Sequence, residues 1–161
     1  IFMGVSQGMQ PLFGRSYGDQ NQDDLHYFLR AGLGVGFGGS VLVYVLIIAL
    51  GGLICAMFGA DPAATEITVF AIPRYGWAFL FASMNTLLSA YLYSTKRTKE
   101  SAAVNILRGF ILTPLCIVFI STLSGGAAIW YAVGMAEALS FLCAVFVTRR
   151  SERGGVRFSE D

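Results

Sequence analysis

The stretch AGLGVGFGGSVLVYVLIIALGGLICAMFGA, Ala31–Ala60, runs for 30 residues without a charged side chain. A helix needs about 20 apolar residues to cross the ~30 Å hydrocarbon core of a bilayer, so this run holds a membrane span with residues to spare. To the C-terminal side, Tyr75–Thr95 adds 21 uncharged residues, and Gly109–Thr148 adds 40 interrupted only by Glu137. The 40-residue run is long enough for two spans and must turn once. Its polar, glycine-rich break is Ser121-Thr122-Leu123-Ser124-Gly125-Gly126. The pattern predicts helices over 32–58, 75–93, 105–123 and 127–148, an incomplete helix over 1–17, and a tail over 149–161. The chain opens on Ile1 with neither a basic leader nor a small-residue cleavage site, so it is expected to begin inside a helix of a longer protein.

Composition agrees. Of 161 residues, 55% are hydrophobic and 13% charged, with a mean hydropathy of +0.64. A soluble domain carries about 25% charged residues, so this chain cannot cover a globular surface with charge. A water-soluble enzyme is excluded, and so is a disordered chain, which would be short of apolar surface. A net charge of +1, from 11 basic and 10 acidic residues, leaves no nucleic-acid footprint. The expected fold is an all-α integral membrane protein, a polytopic helical bundle whose first partner is the lipid bilayer.

Basic residues orient it. Arg15 and Arg30 flank the first connection, Lys96, Arg97, Lys99 and Arg108 fall in the third, and Arg149, Arg150, Arg153 and Arg157 follow the last helix. In an up-down chain those places share one side, which therefore holds ten of the 11 Lys and Arg; Arg74 is the exception. The positive-inside rule makes that side the cytoplasm and puts the C-terminus there, in a multi-pass plasma-membrane protein.

Several motif matches fail their context. Gly34-Val35-Gly36-Phe37-Gly38-Gly39 satisfies G-x-G-x-x-G, but it sits within an apolar run and not between a strand and a helix. The glycines read better as close-packing positions: Gly32/Gly36, Gly34/Gly38 and Gly36/Ser40 are four apart, as are Gly4/Gly8 and Gly14/Gly18. Cys55, Cys116 and Cys143 are isolated in apolar runs and read as small core residues, with no metal or cofactor implied. His26 reads as a solvated loop residue beside Asp23 and Asp24. No nucleophile–base pair stands out, so membrane-enzyme chemistry has little support.

Polar groups within the spans carry more. Glu137 lies mid-helix, where a carboxylate costs about 2.5 kcal/mol or more on insertion scales and must face protein or a water-filled cavity. Two readings stand: a neutral acid hydrogen-bonded to a neighbouring helix, or a substrate or proton contact. Asn85, Ser89 and Tyr93 recur every four residues along one face, as an interhelical seam or a pore lining. Gln7 and Gln10 share a face of the first helix. Pro11, Pro73 and Pro114 punctuate the spans, and Pro11 marks a candidate bend, either a static kink or a conformational hinge.

Gly4-Val5-Ser6-Gln7-Gly8-Met9-Gln10-Pro11-Leu12-Phe13, followed by Tyr17-Gly18, resembles a segment of the multidrug and toxic compound extrusion (MATE) family. Phe58-Gly59-Ala60-Asp61-Pro62 looks like that family's external loop after its ninth helix, and Gly126-Ala127-Ala128-Ile129-Trp130-Tyr131 with Met135-Ala136-Glu137 looks like the start of its last. The resemblance covers essentially the whole chain in order. It implies most of one six-helix lobe of a twelve-helix transporter, with the N-terminal lobe elsewhere in the same chain and a monomer as the working unit. It further implies a secondary antiporter exporting organic, often cationic, drugs or toxins in exchange for H+ or Na+ by alternating access. Glu137, Asn85, Gln7 and Gln10 are then the candidate substrate- or ion-binding residues. One departure stands out: sodium-coupled members carry an acid on the tenth helix, and Phe79–Ser94 has none. Coupling is then expected to run through protons, by a carboxylate in the other lobe or by Glu137. The competing readings are a lipid or lipid-linked saccharide flippase of the same superfamily and a non-transporting membrane subunit. A flippase lumen should be more cationic than these spans, where Arg74 at a boundary is the lone basic residue expected.

Overall fold

The computed structural model of the chain describes residues 2–124 and 128–153, and every regular element among them is a helix. Helix α1 spans Phe2–Gly18, α2 Gln22–Met57, α3 Pro62–Gly76, α4 Ala78–Ser94 and α5 Thr98–Ile106. A π-helical turn, Leu107–Leu112, joins α5 to α6 (Thr113–Ser124), and α7 runs over Ile129–Arg153. The expected turn at Gly125 and Gly126 lies outside the described residues; α7 continues for five residues into the expected 149–161 tail, and the remainder of that tail lies outside them as well.

Helix α2 starts ten residues before the expected 32–58 boundary. Asn21 caps it, its side-chain oxygen accepting from the Asp24 amide at 3.1 Å. Asp23 and Asp24 then complement the positive end of the helix dipole. His26 is therefore a half-buried helix residue and not part of a solvated loop. At 36 residues α2 is about 54 Å long, well beyond a ~30 Å hydrocarbon core, so its capped first turns stand clear of the apolar layer. At its far end Gly59 takes φ +67°, a conformation that favours glycine, and the Ala60 amide bonds the Cys55 carbonyl at 3.0 Å. Asp61 immediately caps α3 through the Ala64 amide at 2.7 Å, with Pro62 at the first helical position.

The expected 75–93 helix is the second half of a broken span. Helices α3 and α4 meet at 46° across Trp77. Pro73 and Gly76 stand just before the break, and the Tyr44 hydroxyl donates to the Pro73 carbonyl at 2.8 Å. Hydropathy hides α3 because Glu66 and Arg74 interrupt it; the Arg74 guanidinium rests on the Phe70 ring, 3.6 Å from its centroid. The expected 105–123 helix likewise begins earlier, at Thr98, and runs through the π turn to Leu123. Pro114 lacks an amide proton and crowds the preceding turn, a condition the wider π turn relieves.

Helix α4 is the hub, packed against α1, α2, α5 and α7. Leu87, Leu88, Tyr91 and Leu92 form its core face with Phe13, Leu25, Leu29 and Ala144. Phe13 meets Tyr91 edge-on at 5.5 Å, an arrangement that adds about 0.5–1.5 kcal/mol beyond area burial. Gly32, Gly36 and Ser40 are buried in α2. A Cβ at Gly32 would come within 2.9 Å of Leu87, and Ser83 donates to the Gly36 carbonyl at 3.2 Å. The close-packing expectation fails at Gly34/Gly38, Gly4/Gly8 and Gly14/Gly18, which face open space among the described residues. Cys55 and Cys116 are buried and Cys143 half-buried, all as free thiols.

Leu42, Val45, Leu46, Leu50 and Leu53 are exposed on the outside of α2. An apolar exterior of that extent requires a non-aqueous neighbour. Gln22–Met57, Thr98–Leu123 and Ile129–Ser151 are each long and apolar enough to cross a membrane, and the bent α3–α4 pair makes a fourth span. The Asp61 joint and the Thr98 joint lie at opposite ends of the antiparallel series. Single cysteines at these positions in the full-length protein are expected to react with an impermeant maleimide from opposite sides of intact cells. Labelling of both from the same side would refute this arrangement.

Candidate functional site

Three elements converge on Glu137. Helix α4 presents Asn85, completely buried, whose side-chain amide donates both to the Glu137 backbone carbonyl at 2.9 Å and to its Oε2 at 2.8 Å. The π turn presents Arg108, whose Nε donates to Glu137 Oε1 at 2.9 Å while a terminal guanidinium nitrogen approaches the same oxygen at 2.7 Å. The pair is largely withdrawn from solvent, with side-chain exposures of 22% for Arg108 and 11% for Glu137. The carboxylate therefore has the neighbouring-helix hydrogen bond that one sequence reading expected, together with an opposite charge that it did not. Arg108 is a span residue and not a connection residue. Asn85 Oδ1 has no hydrogen-bond partner, although it is buried.

In front of this triad lies a cavity of about 400 Å³. Gln7 and Gln10 of α1, Ser89 and Tyr93 of α4, and Asn105 of α5 line it with Arg108. The structure thus brings both glutamines to the face that carries Ser89 and Tyr93, while Asn85 and Glu137 sit behind it. Arg108 belongs to both. The far wall is fixed by side-chain bonds: Ser101 donates to the Ser89 carbonyl at 2.9 Å, and the Asn105 amide donates to the Ser101 carbonyl at 2.9 Å. Among the described residues no acid lines the cavity, so its electrostatics are those of Arg108, balanced from behind by Glu137. Pro11 lies within the continuous α1 helix and outside this lining, while the broken span bends at Trp77.

Sequence reasoning missed Arg108 because a charge at the edge of an apolar run reads as a helix boundary. The signal was present nonetheless: Ser101, Asn105 and Arg108 stand at i, i+4 and i+7, one helical face. Among the described residues no group of three His, Cys, Asp or Glu could hold a metal ion.

A family model described as MatE matches residues 1–118, which includes Asn85, Arg108 and every cavity residue. No curated protein and no solved structure matches.

Proposed function

The chain belongs to the MatE family of multi-pass membrane transporters, which are not enzymes, and from that premise we propose a secondary antiporter that exports organic, often cationic, compounds in exchange for protons. In this reading the chain is the C-terminal lobe of a longer, monomeric transporter in the plasma membrane, with its C-terminus in the cytoplasm. The supporting observation is the Arg108–Glu137 pair closing the back of a cavity that Gln7, Gln10 and Tyr93 line.

While the pair is intact, the charge of Arg108 is balanced and the cavity admits a cation. A proton taken up by Glu137 removes that balance, and Arg108 then opposes a cationic guest. Asn85 and Arg108 are the polar groups facing the carboxylate from α4 and the π turn. Proton and substrate favour different states of one site, which is the requirement for exchange. Gln7, Gln10 and Tyr93 supply hydrogen bonds and one aromatic surface to the guest, and the absence of acids from Phe79–Ser94 favours H+ over Na+ as the coupling ion.

One observation favours the flippase alternative: Arg108 puts a guanidinium, the natural partner of a lipid phosphate, at the cavity wall. Its pairing with Glu137 keeps that wall near neutral, which is why the antiporter is preferred. The test is ethidium efflux from cells expressing the full-length parent chain, with proton and sodium gradients collapsed separately. Efflux should stop with a protonophore and persist without sodium. No dye efflux despite membrane expression would overturn the antiporter in favour of lipid-linked cargo.

A further inference from the structure

A second cavity, about 520 Å³, opens between the N-terminal part of α2, the middle of α4 and the C-terminal part of α7. It lies at the end of the bundle that carries the basic joints, on another face of α4 from the first cavity, and shares no residue with it. Arg30 of α2 and Arg149 of α7 stand on its rim with His26. Below them the walls are apolar, formed by Leu33, Phe141 and Val145. Thr148, 4% exposed, also lines it, and its hydroxyl has no hydrogen-bond partner. A threonine in a helix ordinarily bonds its own backbone one turn back, as Thr68 and Thr86 do at 2.7 and 2.8 Å, so this buried hydroxyl, in the same lining as Arg30 and Arg149, is a donor without an acceptor.

Two cations from different helices above an apolar trough call for a ligand with an anionic head and an apolar body. Among the described residues, the acids near this rim do not supply the anion. Asp24 is engaged by the Asn21 amide at 2.9 Å, Asp19 faces Arg15 at 3.6 Å, and Asp23 does not line the cavity. Basic pockets between membrane helices at the level of the headgroups are suited to phospholipid phosphates. We propose that this cavity binds an anionic phospholipid of the adjoining leaflet, its phosphate held by Arg30 and Arg149 and hydrogen-bonded by Thr148, with an acyl chain along Leu33, Phe141 and Val145. A free phosphate would use the rim and leave the trough unfilled.

The test uses the purified full-length protein in detergent, with melting temperature as the readout. It is titrated with phosphatidylglycerol, with phosphatidylcholine and with inorganic phosphate. Phosphatidylglycerol is expected to raise the melting temperature, with no matching rise from the other two. In the double variant Arg30→Gln/Arg149→Gln its apparent affinity should fall by about tenfold or more, while Arg150→Gln, an exposed neighbour outside the lining, should leave it unchanged. Arg30→Lys/Arg149→Lys should keep most of the effect, which separates charge from fold. An equal rise with phosphatidylcholine, an equal rise with inorganic phosphate, or an undiminished rise in the double glutamine variant would each overturn the proposal.

Discussion

Glu137→Gln in the full-length protein is expected to lower the yield of folded transporter and to abolish pH-dependent efflux in the fraction that survives. The substitution leaves the Arg108 guanidinium inside a span with no counter-charge. Breaking a buried ion pair from one side costs about 3–5 kcal/mol, a large share of a typical stability. Arg108→Gln should be about as damaging, since it strands the carboxylate against Asn85 alone. The informative variant is the double one, Arg108→Gln/Glu137→Gln, because two neutral amides can hydrogen-bond each other at similar volume. Its melting temperature and membrane yield should return close to those of the parent. Efflux measured across external pH should nonetheless stay flat. A double variant that regains both yield and pH-dependent transport would reduce the pair to a structural tie and remove its role in coupling.

The second large effect is expected at Gly134. The Trp77 indole lies directly on the α7 backbone there, and a Cβ at position 134 would come within 2.7 Å of its ring nitrogen and closer still to two ring carbons. Trp77 is the residue at which α3 and α4 bend, and it packs edge-on against Phe81 at 5.8 Å, so it cannot retreat cheaply. Overpacking of this kind typically costs about 1–3 kcal/mol for a single methyl, so Gly134→Ala should measurably lower the melting temperature and Gly134→Val should largely prevent folding. Trp77→Phe removes the colliding part of the ring and should restore much of what Gly134→Ala loses. If Gly134→Val folds as well as the parent, the indole does not anchor the bend to α7.

Most of the span pattern was legible because it is a local property. Whether Leu42 to Leu53 crosses lipid depends on their own side chains, and a run of them announces itself. A helix converts spacing into a face, and Gln7, Gln10, Ser89 and Tyr93 line one cavity, but Asn85, expected on the face of Ser89 and Tyr93, turns instead to Glu137. The partner of Glu137 was not legible, because Arg108 lies 29 residues earlier and only packing brings the two together. Hydropathy also penalises a charge wherever it stands, which moved Arg108 out of its span and Arg74 to a boundary. It cannot register that one guanidinium is neutralised by a carboxylate and the other lies on a phenyl ring. The break at Trp77 was half visible in Pro73, but Pro11 gave the same signal inside a continuous helix. Proline removes a hydrogen bond in either place; Tyr44 and Gly134 decide where the chain turns.

The π turn also sets the phase of everything around it. A turn closed over five residues holds one more residue than the α-helical turn it replaces, so it offsets the two flanking faces by about 100° relative to an unbroken helix. Ser101 and Asn105 belong to the face before that offset, and Cys116 and Ile120, which pack on α7, belong to the face after it. One segment can therefore serve two unrelated neighbours, the chamber that Gln7 and Gln10 line and an apolar helix seam. Loss of any single residue between Leu107 and Leu112 would preserve the length and apolarity of the span almost unchanged. It would rotate one set of contacts away from its partner, so the vulnerability of this segment lies in its count of residues more than in their identity.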